Sequence, residues 1–293
     1  MSAVPEGPVR ANPRPASTVV LLRDSLRGPE VFLVRRHEST AFMGGAHVFP
    51  GGRVDEADRD GDDGWCDGID DAVRQLPGLE RAEAVAFFIA AVRELFEEAG
   101  VLLARDTRGT TISLASEDAH VRFRQYRADI HDRRSTLRAV VMREGARLAL
   151  DALVHFAHWV TPPIDTRQFD TRFFATRTPL DQTPAHDETE TTHSTWLTPG
   201  AALAQAVGGE IILPPPTWTT LRELERFATV DDAFAWARAR RVSRRQPKLV
   251  DEGGRRMLLL PGDPEYPEAT DVERPLETRF VLIDKRWQAE RGR

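Results

Sequence analysis

The sequence predicts an α/β fold, and three observations support it. Two runs rich in β-branched and apolar residues, 17–23 and 30–35, flank Gly28, as expected for two strands joined by a turn. An unbroken apolar run, Ala84–Val92, leads into residues 93–99 and stops at Gly100, which predicts a buried helix with a glycine end. Apolar runs of strand length recur at 153–160 and 171–176.

The other elements follow from composition and turn residues. Residues 1–16 hold four prolines and little apolar pattern, so we expect a loose arm there. The acidic loop 187–191 leads into a predicted strand, which is followed by a helix. Proline at 214–216 cannot supply ladder donors and predicts a rigid crossing rather than a strand. The remaining predicted elements are two helices within 117–150 broken near 131–133, helices at 200–207, 219–228 and 230–241, and strands at 255–260 and 279–283.

Composition excludes several classes of protein. The net charge of -6 argues against general nucleic-acid binding, which needs a basic surface. No run approaches the eighteen or so apolar residues of a membrane span, and the N-terminus lacks the layout of a secretory signal. Cys66 is the only cysteine, which excludes an internal disulfide. We therefore expect a cytoplasmic protein that binds neither membranes nor nucleic acid, and a homodimer stays open.

Three carboxylates gather at the end of the predicted long helix. Glu94, Glu97 and Glu98 are spaced i, i+3 and i+4, so they share one helical face. Arg93, four residues before Glu97, can offset one of these repelling charges. A divalent cation such as Mg²⁺ would offset the whole group, because such ions bind carboxylates, waters and substrate phosphates. The alternative interpretation of this sequence is an acidic helix face that is exposed to solvent.

The upstream residues complete a known pattern. Gly52 is followed six residues later by Asp58, and then by Arg93-Glu94-x-x-Glu97-Glu98-x-Gly100. This resembles the Nudix box, with Leu95 and Val101 at its two aliphatic positions. There are two departures: Asp58 stands where the family has glutamate, and 34 residues rather than seven separate it from Arg93.

A branch of this family carries such an insertion, the peroxisomal-type coenzyme A diphosphatases, and the chain is similar to that branch over residues 15 to 285. The segments that resemble it are 42–52, 161–162, 169–174, 213–216 and 260–263. The resemblance implies a Nudix α/β/α sandwich with a mixed β-sheet, here with a mainly helical C-terminal extension. We expect an arm at 1–16, the Nudix domain at 17–215 with an insertion at about 59–83, and the extension at 216–293 packed on that core.

The resemblance also implies metal-dependent hydrolysis of a nucleoside-diphosphate-linked small molecule. Mg²⁺ or Mn²⁺ would be held by Glu94, Glu97 and Glu98, with Arg93 orienting the glutamates. The Gly51-Gly52 loop would contribute a backbone carbonyl. Asp58, one methylene short, is left out of the metal ligands. Glu97 and Glu98 would act in catalysis, and the proton of the attacking water falls to Glu98 or to Glu188 or Glu190 in the acidic loop 187–191.

Two substrates stay open, and so does a non-catalytic role. The branch implies coenzyme A or acyl-coenzyme A, cut to 3′,5′-ADP and (acyl-)phosphopantetheine. In the coenzyme A signature Arg36 and Gly45 match, whereas His37 and Ala41 replace a small residue and an arginine. Arg35 and Arg36 end the second predicted strand, where either is a candidate to reach a substrate phosphate or simply to face solvent. ADP-ribose, NADH or another nucleotide diphosphate is the second substrate class. A Nudix-fold binding module is the alternative without turnover.

Two further regions give structural expectations. Nine acids between Asp55 and Asp71 predict a solvated loop that borders the mouth of the site. His155 and His158 lie on a predicted strand three residues apart, so they cannot jointly bind a metal unless the strand bends. Arg172 is predicted either to be buried against an acid or to point into the pocket.

Overall fold

The structure is a computed structural model that describes residues 12–38, 44–163, 167–187, 191–268, 272, 275–284 and 286–292. No helix within these ranges is long and apolar enough to cross a membrane. The strands are β1 (Arg14–Ser25), β2 (Gly28–Arg36), β3 (His47–Val48), β4 (Gly51–Arg53), β5 (Cys66–Asp67), β6 (Ala104–Arg105), β7 (Arg147–Ala149), β8 (Val154–Val160), β9 (Phe169–Arg177), β10 (Thr191–Leu197), β11 (Arg244–Arg245), β12 (Lys248–Glu252), β13 (Arg255–Leu259), β14 (Arg279–Ile283) and β15 (Arg286–Glu290). The helices are α1 (Ile69–Gln75), α2 (Arg81–Ala99), α3 (Glu117–His131), α4 (Leu137–Arg143), α5 (Pro199–Val207), α6 (Pro215–Leu224) and α7 (Val230–Ala239).

A mixed sheet forms the centre of the fold. Its strand order is β10-β2-β1-β9-β8-β11, with β3 paired to β2 and β4 paired to β1. β1 runs parallel to β9 and antiparallel to β2, which gives the sheet its mixed character. Near its start β1 pairs with β4, where Ser17 lies opposite Gly52 and Thr18 opposite Gly51. The paired glycines are thereby held at an end of the central strand.

Helices cover both faces of this sheet. On one face α2, α3 and α4 pack with Val19, Leu21 and Phe174 in one core cluster. On the other face α5, α6 and α7 pack with Val20, Leu22 and Phe173 in a second cluster. Neighbouring strand residues thus point into opposite layers, as the pleat requires. The predicted α/β/α sandwich with a mixed sheet is confirmed.

The C-terminal segment differs from its description as mainly helical. After α6 and α7 it forms a four-stranded antiparallel sheet in the order β12-β13-β14-β15. Two of these strands were predicted at 255–260 and 279–283, but their partners β12 and β15 were missed, because their apolar residues are interrupted by charge. Leu258, Leu260 and Phe280 of this segment belong to the second core cluster. The domain boundary at 215/216 stays a prediction.

The segment between the two parts of the box is not the solvated loop that its acids suggested. It contains a 3₁₀ turn (Glu56–Arg59), β5 and α1. Trp65, Cys66 and Ile69 are buried in the first core cluster beside α2. These few apolar residues between the acids anchor the segment in the core. At the other end of the domain, β1 begins at Arg14, within the arm predicted for 1–16.

Helix α2 is enclosed by the sheet and by the helices on its own face. Every residue of its apolar run, Ala84–Val92, is buried. The Ser17 hydroxyl donates to the Phe87 carbonyl at 2.6 Å and ties the helix to β1. Gly100 ends the helix in a left-handed conformation, φ 69°, as predicted for a glycine at this position. Helix α2 is therefore held against β1 by the Ser17 hydrogen bond as well as by packing in the first core cluster.

Candidate active site

Three of the glutamates of α2, Glu94, Glu97 and Glu98, lie near the glycine loop, but they do not take the same partners. Glu94 and Glu97 both face the Arg93 guanidinium, at 2.8 and 3.0 Å from Nη1. Glu98 turns the other way, and its Oε2 accepts the Gly51 N–H at 2.9 Å. Helical periodicity predicted the shared neighbourhood, and the surrounding strands decide which partner each carboxylate takes.

Arg93 is the centre of the network. Its Nε and Nη2 donate to both carboxylate oxygens of Asp58, at 3.0 and 2.9 Å. Nη2 also donates to the Arg53 carbonyl at 2.7 Å. A planar guanidinium that binds a carboxylate through two nitrogens has a defined orientation, so Arg93 holds Glu94 and Glu97 in place. The role predicted for Arg93 is the one that its contacts allow.

Asp58 was undervalued by sequence reasoning. Of the nine acids between residues 55 and 71, all of which the structure describes, Asp58 alone is buried, with 1% of its surface exposed. Its Oδ2 also accepts the Asp55 N–H at 2.8 Å, which closes the 3₁₀ turn. Asp58 lies in the cavity wall, but both of its oxygens are engaged by Arg93 and one also by the Asp55 amide, so its contacts make it the anchor of Arg93. Its position six residues after Gly52 was the available signal.

The glycine loop leaves no space for a β-carbon, because Gly52 lies against α2 and Gly51 lies against β1. A β-carbon at Gly52 would collide with the Glu94 carboxylate, and one at Gly51 would collide with the backbone of Ser17 and Thr18. Glycine is therefore required here by space rather than by backbone conformation. The contact that the structure shows from this loop to the glutamates is the Gly51 amide, whereas a carbonyl ligand had been predicted.

Burial changes the pKa values of the acids in this network. Desolvation raises the pKa of Glu94 to about 7, repulsion from Glu97 adds to the rise, and Arg93 opposes it. Desolvation likewise raises the pKa of Glu97. Burial alone would lower the pKa of Arg93, but Glu94 and Asp58 outweigh it and raise that pKa. Three carboxylates thus share one guanidinium, and the protein by itself leaves excess negative charge.

A cavity of about 980 Å³ opens beside these groups. Its walls include Arg93, Glu94, Glu97, Glu98, Gly51, Gly52 and Arg36. Its size is at the upper end of the roughly 300–1,000 Å³ that small-molecule sites occupy. The cavity also borders the acidic stretch 55–71 through Asp55, Glu56 and Asp60, as predicted for the mouth of the site.

Arg36 reaches this cavity from the end of β2. Its Nε is buried and has no hydrogen-bond partner within the described residues. An unsatisfied buried donor is costly, and a guanidinium is suited to a phosphate oxygen. The contact expected from the sequence, a phosphate on Arg36, is compatible with this position.

Some of the predicted residues lie elsewhere. Glu188 and Glu190 fall outside the described residues; their neighbour Asp187 lines the cavity and accepts the Thr191 N–H at 2.9 Å. Arg172 takes the first of its two predicted roles: it pairs with Asp170 and stacks over Phe87, outside the cavity lining.

Strand β8 bends where its two histidines lie. A register shift between His155 and Ala157 places His155 opposite Phe174 and His158 opposite Arg172, so both histidines face one side. They still take separate partners: His158 contacts Asp170 at 2.8 Å, and His155 contacts the Gln75 carbonyl at 3.2 Å. Burial lowers the pKa of His155 to about 3, which keeps it neutral.

The glutamate site fits a hard divalent cation by chemistry, although not as a finished cage. Within the described residues, no three His, Cys, Asp or Glu side chains are arranged as a ready-made metal site. Mg²⁺ does not require one, because it binds through one or two carboxylates, several waters and substrate phosphates. The raised pKa of Glu94 shows a carboxylate that additional positive charge would stabilise.

Comparison with known proteins gives concordant results. The family model of the NUDT19 Nudix domain matches residues 75–226. The chain is 31% identical to the human acyl-coenzyme A diphosphatase NUDT19 over 284 residues, covering 83% of this chain and 74% of that protein. It is 27% identical to a putative nudix hydrolase 7 of Caenorhabditis elegans, over 92% of this chain and 80% of the relative. A crystal structure of a NUDIX hydrolase from Alicyclobacillus acidocaldarius superposes with a TM-score of 0.63 at 25% identity, covering 78% of this chain and 97% of that one.

Proposed function

The chain belongs to the Nudix hydrolases, in the branch of the NUDT19 Nudix domain, and from that premise we propose that it hydrolyses the diphosphate of coenzyme A or an acyl-coenzyme A. It is a Nudix-type pyrophosphohydrolase. The products would be 3′,5′-ADP and phosphopantetheine or its acyl derivative. The observation that carries the proposal is the contact of Glu98 with the Gly51 amide beside the Arg93 network, at the wall of one large cavity.

The substrate class is supported by the relatives and by the cavity. The human, chicken and frog relatives are named acyl-coenzyme A diphosphatase. The cavity wall contains the glutamates, further charged side chains such as Arg36 and Arg138, and apolar side chains such as Trp159 and Leu258. A ligand with phosphates at one end and an apolar chain at the other matches both.

A divalent cation, Mg²⁺ or Mn²⁺, would be held by Glu94, Glu97 and Glu98. When bound, such a cation neutralises diphosphate charge and lowers the pKa of an attacking water. Arg93 would keep Glu94 and Glu97 pointed toward the cavity, and Asp58 would keep Arg93 in register. Without Asp58, the guanidinium would lose the bidentate contact that fixes its plane.

Proton removal is assigned to Glu98. Its Oε2 is oriented by the Gly51 amide, and its carboxylate lies at the cavity wall. Glu190, or Glu188, stays the alternative base. Arg36 would bind a phosphate oxygen of the substrate and offset the charge that develops there.

The reaction balances with water alone. The oxygen of water forms a bond to one phosphorus, the bond from that phosphorus to the bridging oxygen breaks, and the bridging oxygen leaves on the other phosphate. Glu98 takes one proton from the water, which is then released to solvent. No oxidant, reductant or second substrate is required.

The test is a product analysis with purified protein, Mg²⁺ or Mn²⁺, and four substrates: coenzyme A, octanoyl-coenzyme A, NADH and ADP-ribose. Mass spectrometry should find 3′,5′-ADP with either coenzyme A substrate, and none when EDTA is present. Cleavage of NADH or ADP-ribose alone would replace this substrate class with the second one. Cytoplasmic location and a homodimer stay predictions for fractionation and light scattering.

A further inference from the structure

Part of the cavity, which we treat as an arm, has a mostly apolar wall. This arm is formed by β8 and β9 of the central sheet together with β13 and β15 of the C-terminal sheet. We call it the apolar arm; it is lined by Trp159, Val160, Phe169, Phe173, Leu258 and Trp287. Helices α5, α6 and α7 lie between these two pairs of strands in the sequence. The arm therefore exists only in the folded protein.

Another part of the cavity wall, which we call the charged end, carries acidic and basic side chains. It lies against the inserted segment and the α3–α4 turn, with Asp55, Asp60, Arg133 and Arg138 in its wall. The two ends also belong to different layers: Trp65 and Ile130 at the charged end are in the first core cluster, whereas Trp159 and Leu258 are in the second. The cavity wall is therefore built from both layers of the sandwich as well as from the glutamates.

The apolar arm contains one polar group that lacks a partner. Trp159 is 3% exposed, and its Nε1 has no hydrogen-bond acceptor in the part of the chain that the structure describes. A buried indole N–H normally finds an acceptor. A carbonyl oxygen on a ligand in the arm would supply it, while the surrounding rings and Leu258 would contact the hydrocarbon.

We propose that the apolar arm binds the thioester end of the substrate, with the acyl chain against Leu258 and Trp287 and an amide or thioester carbonyl accepting from Trp159. The inference rests on the proposed function, and it gives the C-terminal segment a specific task. The sheet β12–β15 completes the substrate site and makes the enzyme prefer acylated over free coenzyme A. The nucleotide end lies at the charged end of the cavity.

The first test is a chain-length series of acetyl-, butyryl-, hexanoyl- and octanoyl-coenzyme A. Burial of one methylene corresponds to a change of about fourfold in an equilibrium constant. We expect kcat/KM to rise with each added methylene by up to about this factor, until the arm is filled. A flat series would overturn the proposal.

The second test fills or empties the arm. Leu258→Trp occupies the space that the acyl chain needs, and Trp287→Ala removes one wall. Both should lower the ratio of kcat/KM for octanoyl-coenzyme A to that for coenzyme A, by about tenfold or more, which is the contribution of two methylenes. Leu249→Phe is the matched control: Leu249 lies opposite Leu258 in the β12–β13 ladder but does not line the cavity, so the ratio should stay as in the wild type.

Binding measurements separate this inference from the proposed function. Calorimetry of the same series with the protein in EDTA reports the preference of the arm without turnover. Tighter binding of longer chains in a protein that hydrolyses no coenzyme A would refute the proposed function and retain the arm. Hydrolysis of coenzyme A with no chain-length gradient in rate or binding would do the reverse. If Leu258→Trp does not fold by circular dichroism, Trp287→Ala and the wild-type series still decide.

Discussion

Two buried arginines, Arg93 and Arg279, stand at the centres of two charge clusters that look alike and differ in balance. Arg279 donates through Nε and Nη2 to both oxygens of Asp263, at 2.8 and 2.5 Å, much as Arg93 does to Asp58. Asp263 also accepts from the Thr278 hydroxyl, and that hydroxyl accepts the Gly292 N–H. This cluster connects Thr278, Arg279 and Gly292 to the turn at 260–263. None of its side chains lines the cavity.

The difference lies in the remaining charges. Asp263 is the one fully buried acid that faces Arg279, because Glu265 is about half exposed. Around Arg93 the buried acid Asp58 is joined by Glu94 and Glu97, whose side chains are only 13% and 16% exposed. A balanced, closed cluster stabilises the fold. A cluster with surplus charge at the wall of a cavity is unstable by itself and is suited to a cation or a reaction.

The largest expected effect is on stability at the balanced cluster. Arg279→Met leaves Asp263 buried without its partner and should lower the free energy of unfolding by about 3–5 kcal/mol, measured by urea denaturation. Arg255→Met, in the same sheet, removes an exposed pair with Glu290 and should cost less than about 1 kcal/mol. The folded fraction of Arg279→Met should keep the wild-type kcat; a large loss there would place this cluster in the catalytic machinery.

At the cluster around Arg93, which carries surplus negative charge, the expected effect is on the rate of hydrolysis. Glu98→Gln keeps an oxygen for the Gly51 amide but removes the base, so kcat should fall by at least ~100-fold. Its free energy of unfolding should change by less than about 1 kcal/mol. Asp263→Asn, the counterpart in the balanced cluster, should show the opposite pattern of lost stability and retained kcat. Near-normal turnover by Glu98→Gln would transfer the base to the loop of Glu188 and Glu190.

Cation binding should distinguish the clusters directly. If Mg²⁺ binds the folded protein alone, a concentration of 100 Kd adds about 2.7 kcal/mol to its stability, seen as a raised Tm. Glu94→Gln and Glu97→Gln should weaken this effect, because each removes a ligand charge. Asp263→Asn should show the same Mg²⁺-dependent rise in Tm as the wild type. Equal rises in all variants would place the cation somewhere other than α2.

The smallest expected effect is a difference in pH dependence, measured in EDTA. The pKa of Glu94 is raised from 4.5 to about 7, so the folded protein binds the extra proton and the stabilisation is present below pH 4.5 and lost as pH rises toward 7. The pKa of Asp263 is lowered: burial would raise it, but the hydrogen bonds from Arg279 and Thr278 outweigh burial. Its contribution is therefore present above pH 3.8 and lost as pH falls.

Single variants of Glu94 and Asp263 allow the two opposite pH dependences of the free energy of unfolding to be measured. The stability difference between the wild type and Glu94→Gln should fall by on the order of 2 kcal/mol between pH 4.5 and 8. The difference between the wild type and Asp263→Asn should instead vanish toward low pH. Parallel curves for the two variants would mean that the surplus charge around Arg93 is already compensated within the protein.

Much of the fold followed from local pattern. The strands on either side of Gly28, the helix that ends at Gly100 and the break between α3 and α4 were all predicted within a few residues. The elements of the insertion and the outer strands β12 and β15 of the C-terminal sheet were not predicted, because their anchoring residues are scattered among charges. Trp65, Ile69 and Trp287 become recognisable as core or cavity residues when the segments beside them are in place.

The sequence by itself determined that Glu94, Glu97 and Glu98 share a helical face, since a helix repeats every 3.6 residues whatever surrounds it. Only the tertiary structure decided that Glu98 turns to Gly51, that Asp58 holds Arg93 across 35 positions, and that Leu258 and Trp287 meet Trp159 in one arm. The physical reason is the separation in sequence over which the determining interactions act. Periodicity is set by neighbouring dihedral angles, whereas the partner of a side chain depends on how distant segments close upon one another.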